Sequence, residues 1–348
     1  MSKKGVDPTD GRVTLQEVAE LAGVSQATAG RALGGYGSIS EGSRERVERA
    51  AMKLGYRTHG VARALASGTT KSIGLVIGDI ENAFFATFAR GLSDVMHEAG
   101  YTVVLANADE NWDLERQALE VLETRSVDGM VVAPAPDSDT TLLQGLSERV
   151  PLVVVDRTLP GLDVDTVLVD NVAGGASAAK HLADLGHREI GLMTEPPVLS
   201  SVRERVQGYE ETLESYGLES DPALVAVGTP KLEGGLLAAI EILESKDRPQ
   251  AIFATTNTMT AAVLAATVEL GLKIPDDLSL VGFDDSEWMR LVSPPITVVR
   301  QPVYDLGQAT GRLLNDRING WSGDAKRLRL KTELVVRQSC KKYEAADA

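Results

Sequence analysis

From Ser72 onward the sequence alternates short, continuous apolar runs with amphipathic segments of helical length, and this alternation restricts the fold more than any other feature. Continuous β-branched runs are typical of strands buried on both faces, and strands that alternate with helices predict a parallel sheet covered by helices on each side. The predicted strands form two successive sets, 72–77, 101–105, 127–133 and 152–156, then 166–169, 190–193, 251–254 and 278–283. Two sets predict two similar α/β lobes.

The segment before these lobes has the pattern of a helix-turn-helix. Thr14-Leu15-Gln16-Glu17 is a capping box, in which the Thr14 hydroxyl accepts from the amide of Glu17 and the Glu17 side chain reaches back to the amide of Thr14. Gly23 permits a sharp turn, and Ser25 then caps a second helix that runs to about Leu33. The second helix of such a pair enters the major groove of DNA. The side chains predicted to project there are Gln26, Ala27 and Arg31.

The charge of the chain is unevenly distributed. Residues 1–71 hold 11 Lys and Arg against 7 Asp and Glu, a net charge of +4, while residues 72–348 hold 24 against 43, a net charge of −19. A third predicted helix, which begins after Ser40, contributes several of the basic side chains. An acidic chain with a basic first segment is compatible with DNA binding by that segment alone.

Several classes of protein are disfavoured by what the sequence lacks. Its one cysteine, Cys340, forms no internal disulfide and no multi-cysteine zinc site. Neither an apolar signal region nor a run of about 20 apolar residues is present, so the predicted location is the cytoplasm. The sequence holds no nucleophile elbow, phosphate-binding Gly-Lys-Ser/Thr loop or His-Glu-x-x-His helix, and its four histidines are scattered. We therefore expect neither an enzyme nor a metal or cofactor.

The ordered motifs of the first segment carry a specific resemblance. They are Val13-Thr14-Leu15, Ala22-Gly23-Val24-Ser25, Arg31-Ala32-Leu33 and Leu54-Gly55-Tyr56. Together they resemble the DNA-binding headpiece of the lactose-repressor family of bacterial transcription regulators. The resemblance implies a headpiece over residues 1–58 whose DNA contacts include Thr14, Ser25, Gln26, Ala27, Thr28 and Arg31.

The same resemblance implies a hinge over residues 59–71. In the family this hinge becomes a helix on the operator, and its leucine wedges into the minor groove; Leu65 matches that leucine and Arg63 lies beside it. A large apolar side chain inserted between base steps unstacks them and bends the duplex. Thr58, His59 and Gly30 depart from the family pattern, which leaves the DNA sequence that is read open.

A second group of motifs resembles the family's sugar-binding-protein-like core, here residues 72–340. It includes Asp170-Asn171, Gly208-Tyr209 and Gly282-Phe283-Asp284-Asp285. The lobes are expected to comprise about 72–171 with 299–326 and about 172–298 with 327–337. Because ligands of open α/β sheets bind beyond the carboxyl ends of the strands, side chains just after each strand are the candidates. The predicted effector-binding residues are Phe84, Phe85, Asp156, Arg157, Arg205, Asn257, Asp284 and Gln301.

The chemistry of this set suits a polyhydroxylated ligand. Arg205 offers a planar fork of donors, Asp284 accepts from hydroxyls, and Asn257 does both. Phe84 and Phe85 are read either as ring-stacking residues or as core, and Asp156-Arg157 either as part of the site or as a surface ion pair. The family often has an aspartate where this chain has Thr258, which leaves a simple sugar in question.

The sequence therefore predicts an N-terminal all-α helix-turn-helix headpiece and a two-lobed α/β effector domain of the periplasmic-binding-protein type. The expected function is that of a ligand-responsive repressor that binds a pseudo-palindromic operator as a homodimer, because one helix-turn-helix covers only a half-site. Its partners would be operator DNA, a small-molecule effector such as a sugar or polyol, and a second copy of the chain, with no membrane. The alternatives are control by a protein corepressor, a solute-binding protein of a transporter, and an enzyme on an α/β scaffold.

Overall fold

The computed structural model describes residues 13–34, 37–56 and 68–343. Contacts divide the described chain into two compact units, residues up to 72 together with 123–128, and the remaining α/β part. The first unit contains the helices α1 (Leu15–Ala22), α2 (Gln26–Gly34) and α3 (Glu41–Leu54). Their small core is made of alanines and two valines, Val18 and Val47. Residues 59–67 of the predicted hinge, which include Arg63 and Leu65, lie outside the described residues.

The N-terminal caps of α1 and α2 are those that the sequence predicts. The capping box is confirmed, since Glu17 N donates to Thr14 Oγ1 at 3.3 Å and Thr14 N donates to Glu17 Oε2 at 2.7 Å. Thr28 N donates to Ser25 Oγ at 3.1 Å, as expected of a cap on α2. Ser40 differs, because its side chain makes no cap bond to the backbone of α3 and instead bonds Ser43 Oγ at 2.9 Å.

The first part of the α/β unit alternates strands and helices. It contains β1 (Ser72–Ile77), α4 (Ala83–Glu98), β2 (Thr102–Asn107), α5 (Trp112–Thr124), β3 (Gly129–Val132), α6 (Thr140–Ser147), β4 (Leu152–Val155) and β5 (Asp165–Val169). Strands β1, β3, β4 and β5 are almost wholly buried, as their continuous apolar sequences predict.

The second part repeats the alternation. It contains α7 (Asn171–Asp184), β6 (Ile190–Thr194), α8 (Ser200–Ser215), β7 (Val225–Val227), α9 (Leu232–Glu244), β8 (Ala251–Ala254), α10 (Asn257–Leu270) and β9 (Ser279–Phe283). The chain ends with β10 (Thr297–Arg300), α11 (Val303–Ile318), β11 (Arg327–Leu330) and β12 (Glu333–Val335). Short 3-10 helices cover Pro222–Leu224 and Glu287–Arg290.

Two six-stranded sheets with the same order form the centres of two lobes. The first runs β2-β1-β3-β4-β5-β11 and the second β7-β6-β8-β9-β10-β12. Neighbours such as β1 with β3 and β6 with β8 are parallel, whereas β10 and β12 are antiparallel. In each sheet the strand order changes direction beside the strand that comes first in the chain, between β1 and β3 and between β6 and β8. Doubly wound sheets bind ligands at such a point.

The lobe boundaries differ from the expected ones at two places. Residues 299 and 300 belong to β10 and therefore to the second sheet, although 299–326 was expected in the first lobe. Residues 327–330 form β11, which pairs with β5 in the first sheet, although 327–337 was expected in the second. The cause is that β11 is largely exposed and too polar to resemble a buried strand, so its sequence does not reveal which sheet edge it completes.

A close helix crossing holds each lobe together. In the first lobe α4 meets α11, and a Cβ added at Gly91 would clash with the carbonyl oxygen of Tyr304, as would one at Gly307 with that of Phe88. In the second lobe α7 meets α8 in the same manner. A Cβ at Gly208 would clash with the carbonyl oxygen of Val172. Glycine is therefore required on these helices for close packing, although it lowers their intrinsic stability.

Candidate functional site

The carboxyl ends of the two sheets face a cavity of about 980 Å³. Residues from both lobes line this cavity, which we call the cleft. The structure brings together all eight predicted effector-binding residues there: Phe84, Phe85, Asp156, Arg157, Arg205, Asn257, Asp284 and Gln301. Asp156, Asp284 and Gln301 directly follow β4, β9 and β10, as expected of ligand-binding residues in parallel sheets, whereas Arg205 lies within α8.

The two lobes present matching aspartates to the cleft. Asp156 follows β4 with a φ of 69°, and Asp284 follows β9 with a φ of 73°. Few residues other than glycine adopt this left-handed conformation, and Asp and Asn are among those that tolerate it best. Each lobe therefore turns its chain sharply at the strand end, and strain at such a turn is typical of functional sites.

Arg205 is the cation at the centre of the second lobe's side of the cleft. It is only 4% exposed, and its Nε and Nη1 donate to Asn171 Oδ1 and to the Thr255 carbonyl, each at 2.8 Å. Its guanidinium carbon lies 3.8 Å from the centroid of the Phe283 ring. Nη2 has no hydrogen-bond partner among the described residues. Burial lowers the pKa of Arg205, against the opposing effect of nearby carboxylates, of which Asp284 acts most strongly.

The half-buried Asp284 and the buried Gln301 form a hydrogen-bonded pair beside this arginine. Gln301 Nε2 donates to Asp284 Oδ1, and burial raises the pKa of the Asp284 carboxyl despite that bond and the charge of Arg205. Gln301 lies where the chain crosses from β10 back to the first lobe, and its Oε1 is buried without a partner. The neighbouring Asp285 is instead held by Arg290 and by Arg337, whose Nη2 lies 2.7 Å from Asp285 Oδ1.

Arg157 is committed to neighbouring protein groups. Its Nε donates to Asp156 Oδ2 at 3.1 Å, and its Nη2 donates to Glu110 Oε1 at 2.6 Å. A further bond joins Nη1 to the Pro134 carbonyl at 2.9 Å. Burial would lower the pKa of Arg157, but the bonds and charges of Glu110 and Asp156 outweigh it and raise that pKa. The pair Asp156-Arg157 is thus a buried part of the cleft wall and not a surface ion pair.

The two phenylalanines belong both to the core and to the cleft. Phe84 and Phe85 open α4, pack edge to face with centroids 5.1 Å apart, and join the hydrophobic core of the first lobe. Asn82 caps this helix, because its Oδ1 accepts from Phe84 N at 3.0 Å. The core interpretation therefore applies to both rings, and stacking on a ligand stays a prediction.

We give the name bridging contacts to the following pairs, which join the two lobes. Asn257 Nδ2 donates to Asn82 Oδ1 at 3.0 Å, and Lys231 Nζ lies 3.1 Å from Asp79 Oδ2. Thr158 N donates to Ser200 Oγ at 2.8 Å. Arg329 forms a two-bond pair with Glu204, each bond 3.0 Å long. The lobes are therefore in contact on more than one side of the cleft.

Of the predicted DNA-contacting residues that the structure describes, all but Thr14 lie at the start of α2 or within it. Ser25, Gln26 and Ala27 are exposed, and Thr14 is exposed at the cap of α1. Thr28 and Arg31 are half-buried, and Arg31 Nε donates to the carbonyl of Ala27 at 3.3 Å. Leu65 and Arg63 lie outside the described residues.

Both parts of the chain match families of known proteins. A model of the lacI family of bacterial regulatory proteins matches residues 14–59, and a model of the periplasmic binding protein-like domain matches residues 179–340. The HTH-type transcriptional regulator DegA of Bacillus subtilis (strain 168) is 31% identical over 331 residues, which span 94% of this chain and 98% of DegA. The chain belongs to the lacI family of bacterial regulatory proteins.

Solved structures of lacI-family regulators share its fold. The Lac repressor dimer bound to operator and the anti-inducer ONPF matches with a TM-score of 0.84 and 25% identity, over 95% of this chain and 99% of that one. The complex of the transcriptional regulator CelR with cellobiose matches with a TM-score of 0.71 and 32% identity, over 94% and 100%. The predicted fold class is thereby confirmed, and so is the assignment to transcription regulators rather than enzymes.

The predicted effector-binding residues of this lacI-family chain omit two residues that line the cleft, Glu110 and Glu195, and one that orients a cleft residue, Asn171. Glu110 pairs with Arg157, Asn171 orients Arg205, and Glu195 lines the cleft directly after β6. Glu195 satisfies the strand-end rule that identified the others, so that signal was present in the sequence. The contacts of Glu110 and Asn171 depend on packing between distant segments, which no local pattern reveals.

Within residues 13–34, 37–56 and 68–343, no helix combines the length and the apolar content that crossing a bilayer requires.

Proposed function

We propose that this lacI-family chain is a repressor that binds a pseudo-palindromic operator as a homodimer and changes its operator affinity when a sugar, polyol or related small molecule occupies the cleft. The observation that carries the proposal is the convergence of eight predicted polar and aromatic residues on one cavity between two lobes. The Lac repressor is a dimer on its operator, and CelR binds cellobiose, which supports both parts of the proposal.

The proposed division of labour follows the domain prediction. Residues 1–58 would read the operator, residues 59–71 with Arg63 and Leu65 would form the hinge, and residues 72–340 would bind effector and a second subunit. The site of action would be the cytoplasm, where bacterial DNA lies. Effector binding can change operator affinity only if it favours one arrangement of the lobes over another.

Reciprocal coupling between effector and operator is the test of this function. We expect operator to change effector affinity by about 5- to 150-fold, because a coupling of 1 to 3 kcal/mol is usual between linked sites. The measurement is titration calorimetry of the effector against the full chain, with and without operator, and operator affinity measured with and without effector. Equal effector affinities in the two titrations would exclude a ligand-controlled regulator.

Base reading by α2 gives a second prediction. Arg31→Ala is expected to weaken operator binding by about 1–3 kcal/mol while changing the affinity for random DNA much less, because a side chain at a base edge carries sequence information. The measurement is fluorescence anisotropy with both DNAs at fixed salt.

Arg49→Ala is the matched control. Arg49 also donates its Nε to the carbonyl four residues earlier, that of Glu45, at 3.3 Å, but lies on α3. On α3 we expect Arg49 to contact phosphate, which carries no sequence information. This variant should therefore lower the affinity for operator and for random DNA by the same factor. An Arg31→Ala variant that behaves in the same way would remove Arg31 from the base-reading residues.

A further inference from the structure

Glu195 occupies the cleft without a complete set of partners. It directly follows β6, lines the cavity and is partly buried. Thr256 Oγ1 donates to its Oε1 at 2.9 Å, while its Oε2 has no hydrogen-bond partner among the described residues. Partial burial raises the pKa of the Glu195 carboxyl against the effects of Thr256, Arg205 and Arg157. A donor from a ligand would satisfy the open oxygen.

The charges around Glu195 are unbalanced. Three carboxylates, those of Asp156, Glu195 and Asp284, interact electrostatically with a single buried cation, Arg205, and each raises its pKa. The second arginine, Arg157, does not correct the balance, because it brings a fourth carboxylate with it: it is paired with Glu110 as well as with Asp156, so four carboxylates face two arginines. This side of the cleft therefore has an excess of negative charge in a setting where charge interactions are screened less than in water.

The open hydrogen-bonding positions point to the same kind of ligand. Gln301 is 6% exposed, lines the cleft, and has a buried Oε1 without a partner. Its own amide nitrogen is used by Asp284. An unpaired buried carbonyl is unfavourable until a donor reaches it. Acceptors thus outnumber donors here, and a ligand rich in O–H groups would complement them.

We propose that Glu195 is a ligand-contacting, specificity-determining residue whose carboxylate restricts the cleft to polyhydroxylated ligands without an anionic group. The proposal rests on the proposed function of the cleft and names its ligand class. A hydroxyl donates to Glu195 Oε2, and a second donor satisfies Gln301 Oε1. A phosphate or carboxylate at the same position supplies only acceptors and meets like charge, which weakens binding.

A thermal-shift screen of the full chain against sugars, polyols and their phosphates and acids tests the ligand class. It includes cellobiose, D-ribose with D-ribose 5-phosphate, and D-glucose with D-glucose 6-phosphate and D-gluconate. We expect stabilising compounds to lack an anionic group, and each phosphate or acid to bind at least about 10-fold more weakly than its neutral counterpart. A ligand at one hundred times its dissociation constant gives a readily measured shift.

Two substitutions test the residue itself. E195Q keeps an acceptor for Thr256 but loses the charge, so we expect it to weaken the neutral ligand about 10- to 100-fold and to narrow discrimination against the phosphorylated counterpart. E214Q removes an equal charge from an exposed residue of α8 that does not line the cleft, and it is expected to leave both affinities unchanged. The unfolding midpoints without ligand show whether either variant perturbs the fold.

Each outcome has a distinct meaning. Tighter binding of a phosphorylated or carboxylated compound would overturn the ligand class while supporting the proposed use of the cleft. Unchanged affinity in E195Q would remove Glu195 from the contact residues. A screen in which no compound stabilises the chain would count against the proposed function, and the assignment of Glu195 would be withdrawn with it.

Discussion

Arg205→Met is expected to abolish effector binding and to lower the free energy of unfolding by about 3 kcal/mol. The arginine is buried, donates to Asn171 and to the Thr255 carbonyl, and packs on the Phe283 ring. Methionine preserves much of the apolar stem, but it removes the cation that most lowers the pKa of Asp284 and leaves two acceptors without this donor. Urea unfolding at neutral pH measures the stability loss, and calorimetry with the neutral effector measures the loss of binding.

Arg203→Met is the control on the same helix. Arg203 is exposed, and its Nη1 makes only long bonds of 3.4 and 3.5 Å to the carbonyls of Pro197 and Val198. We expect its replacement to change stability by less than about 0.5 kcal/mol and to leave effector binding intact. Effector binding that survives in Arg205→Met would show that this guanidinium is not part of the site.

The stability loss in Arg205→Met is also expected to depend on pH. Burial raises the pKa of Asp284 above its ordinary value, so ionising it opposes folding as pH rises through the interval above that value. Without the charge of Arg205 the pKa of Asp284 is higher still, so this pH interval extends further upward. The difference in unfolding free energy between the variant and the natural chain should therefore shrink as pH falls toward the ordinary carboxyl range.

Gly208→Ala is expected to destabilise the second lobe by about 1–3 kcal/mol or more and to weaken effector binding as well. The added methyl group would clash with the carbonyl oxygen of Val172, so α7 and α8 must separate. Arg205 lies one helical turn away on α8, and Gly175 of α7 packs against its backbone carbonyl. Separation of these helices therefore displaces the guanidinium from the cleft.

Gly145→Ala provides a control with the opposite sign. Gly145 lies inside α6, where an added Cβ would have a single neighbour, Arg149 Nη1, at an ordinary contact distance of 3.7 Å. Alanine favours the helix there by about 0.5–1 kcal/mol, so this variant should be more stable than the natural chain. Thermal unfolding of the two variants side by side makes the comparison. A Gly208→Ala protein as stable as Gly145→Ala would show that the helix crossing is not tightly packed.

Local patterns in the sequence were enough to predict the architecture and most of the cleft. The apolar runs at β1, β4 and β9 are continuous because those strands are buried on both faces, and the residues that follow them must lie at one edge of a sheet. Asp156 and Asp284 were therefore predictable from their own neighbourhoods. The capping box at Thr14 was predictable for the same reason, since it involves residues three positions apart.

Interactions that depend on the relative placement of distant segments were not predictable. Glu110 and Arg157 are 47 positions apart, and only the packing of the first lobe shows that they form a pair. Strand β11 is polar and exposed, so only its pairing with β5 reveals the lobe to which it belongs. Local sequence determines which face of an element is buried, but the neighbour across that face is determined by the assembled fold.

The bridging contacts also bear on how quickly the protein can respond. The pairs Asn82 with Asn257 and Lys231 with Asp79 join the lobes beside the cleft, so we expect a bound ligand to leave mainly when those bonds open. Its dissociation rate would then depend on how often the lobes open as well as on its own contacts. We expect a slow release, so the occupied state would outlast brief falls in ligand concentration. Such a regulator would respond to the ligand concentration averaged over the dissociation time and not to shorter fluctuations.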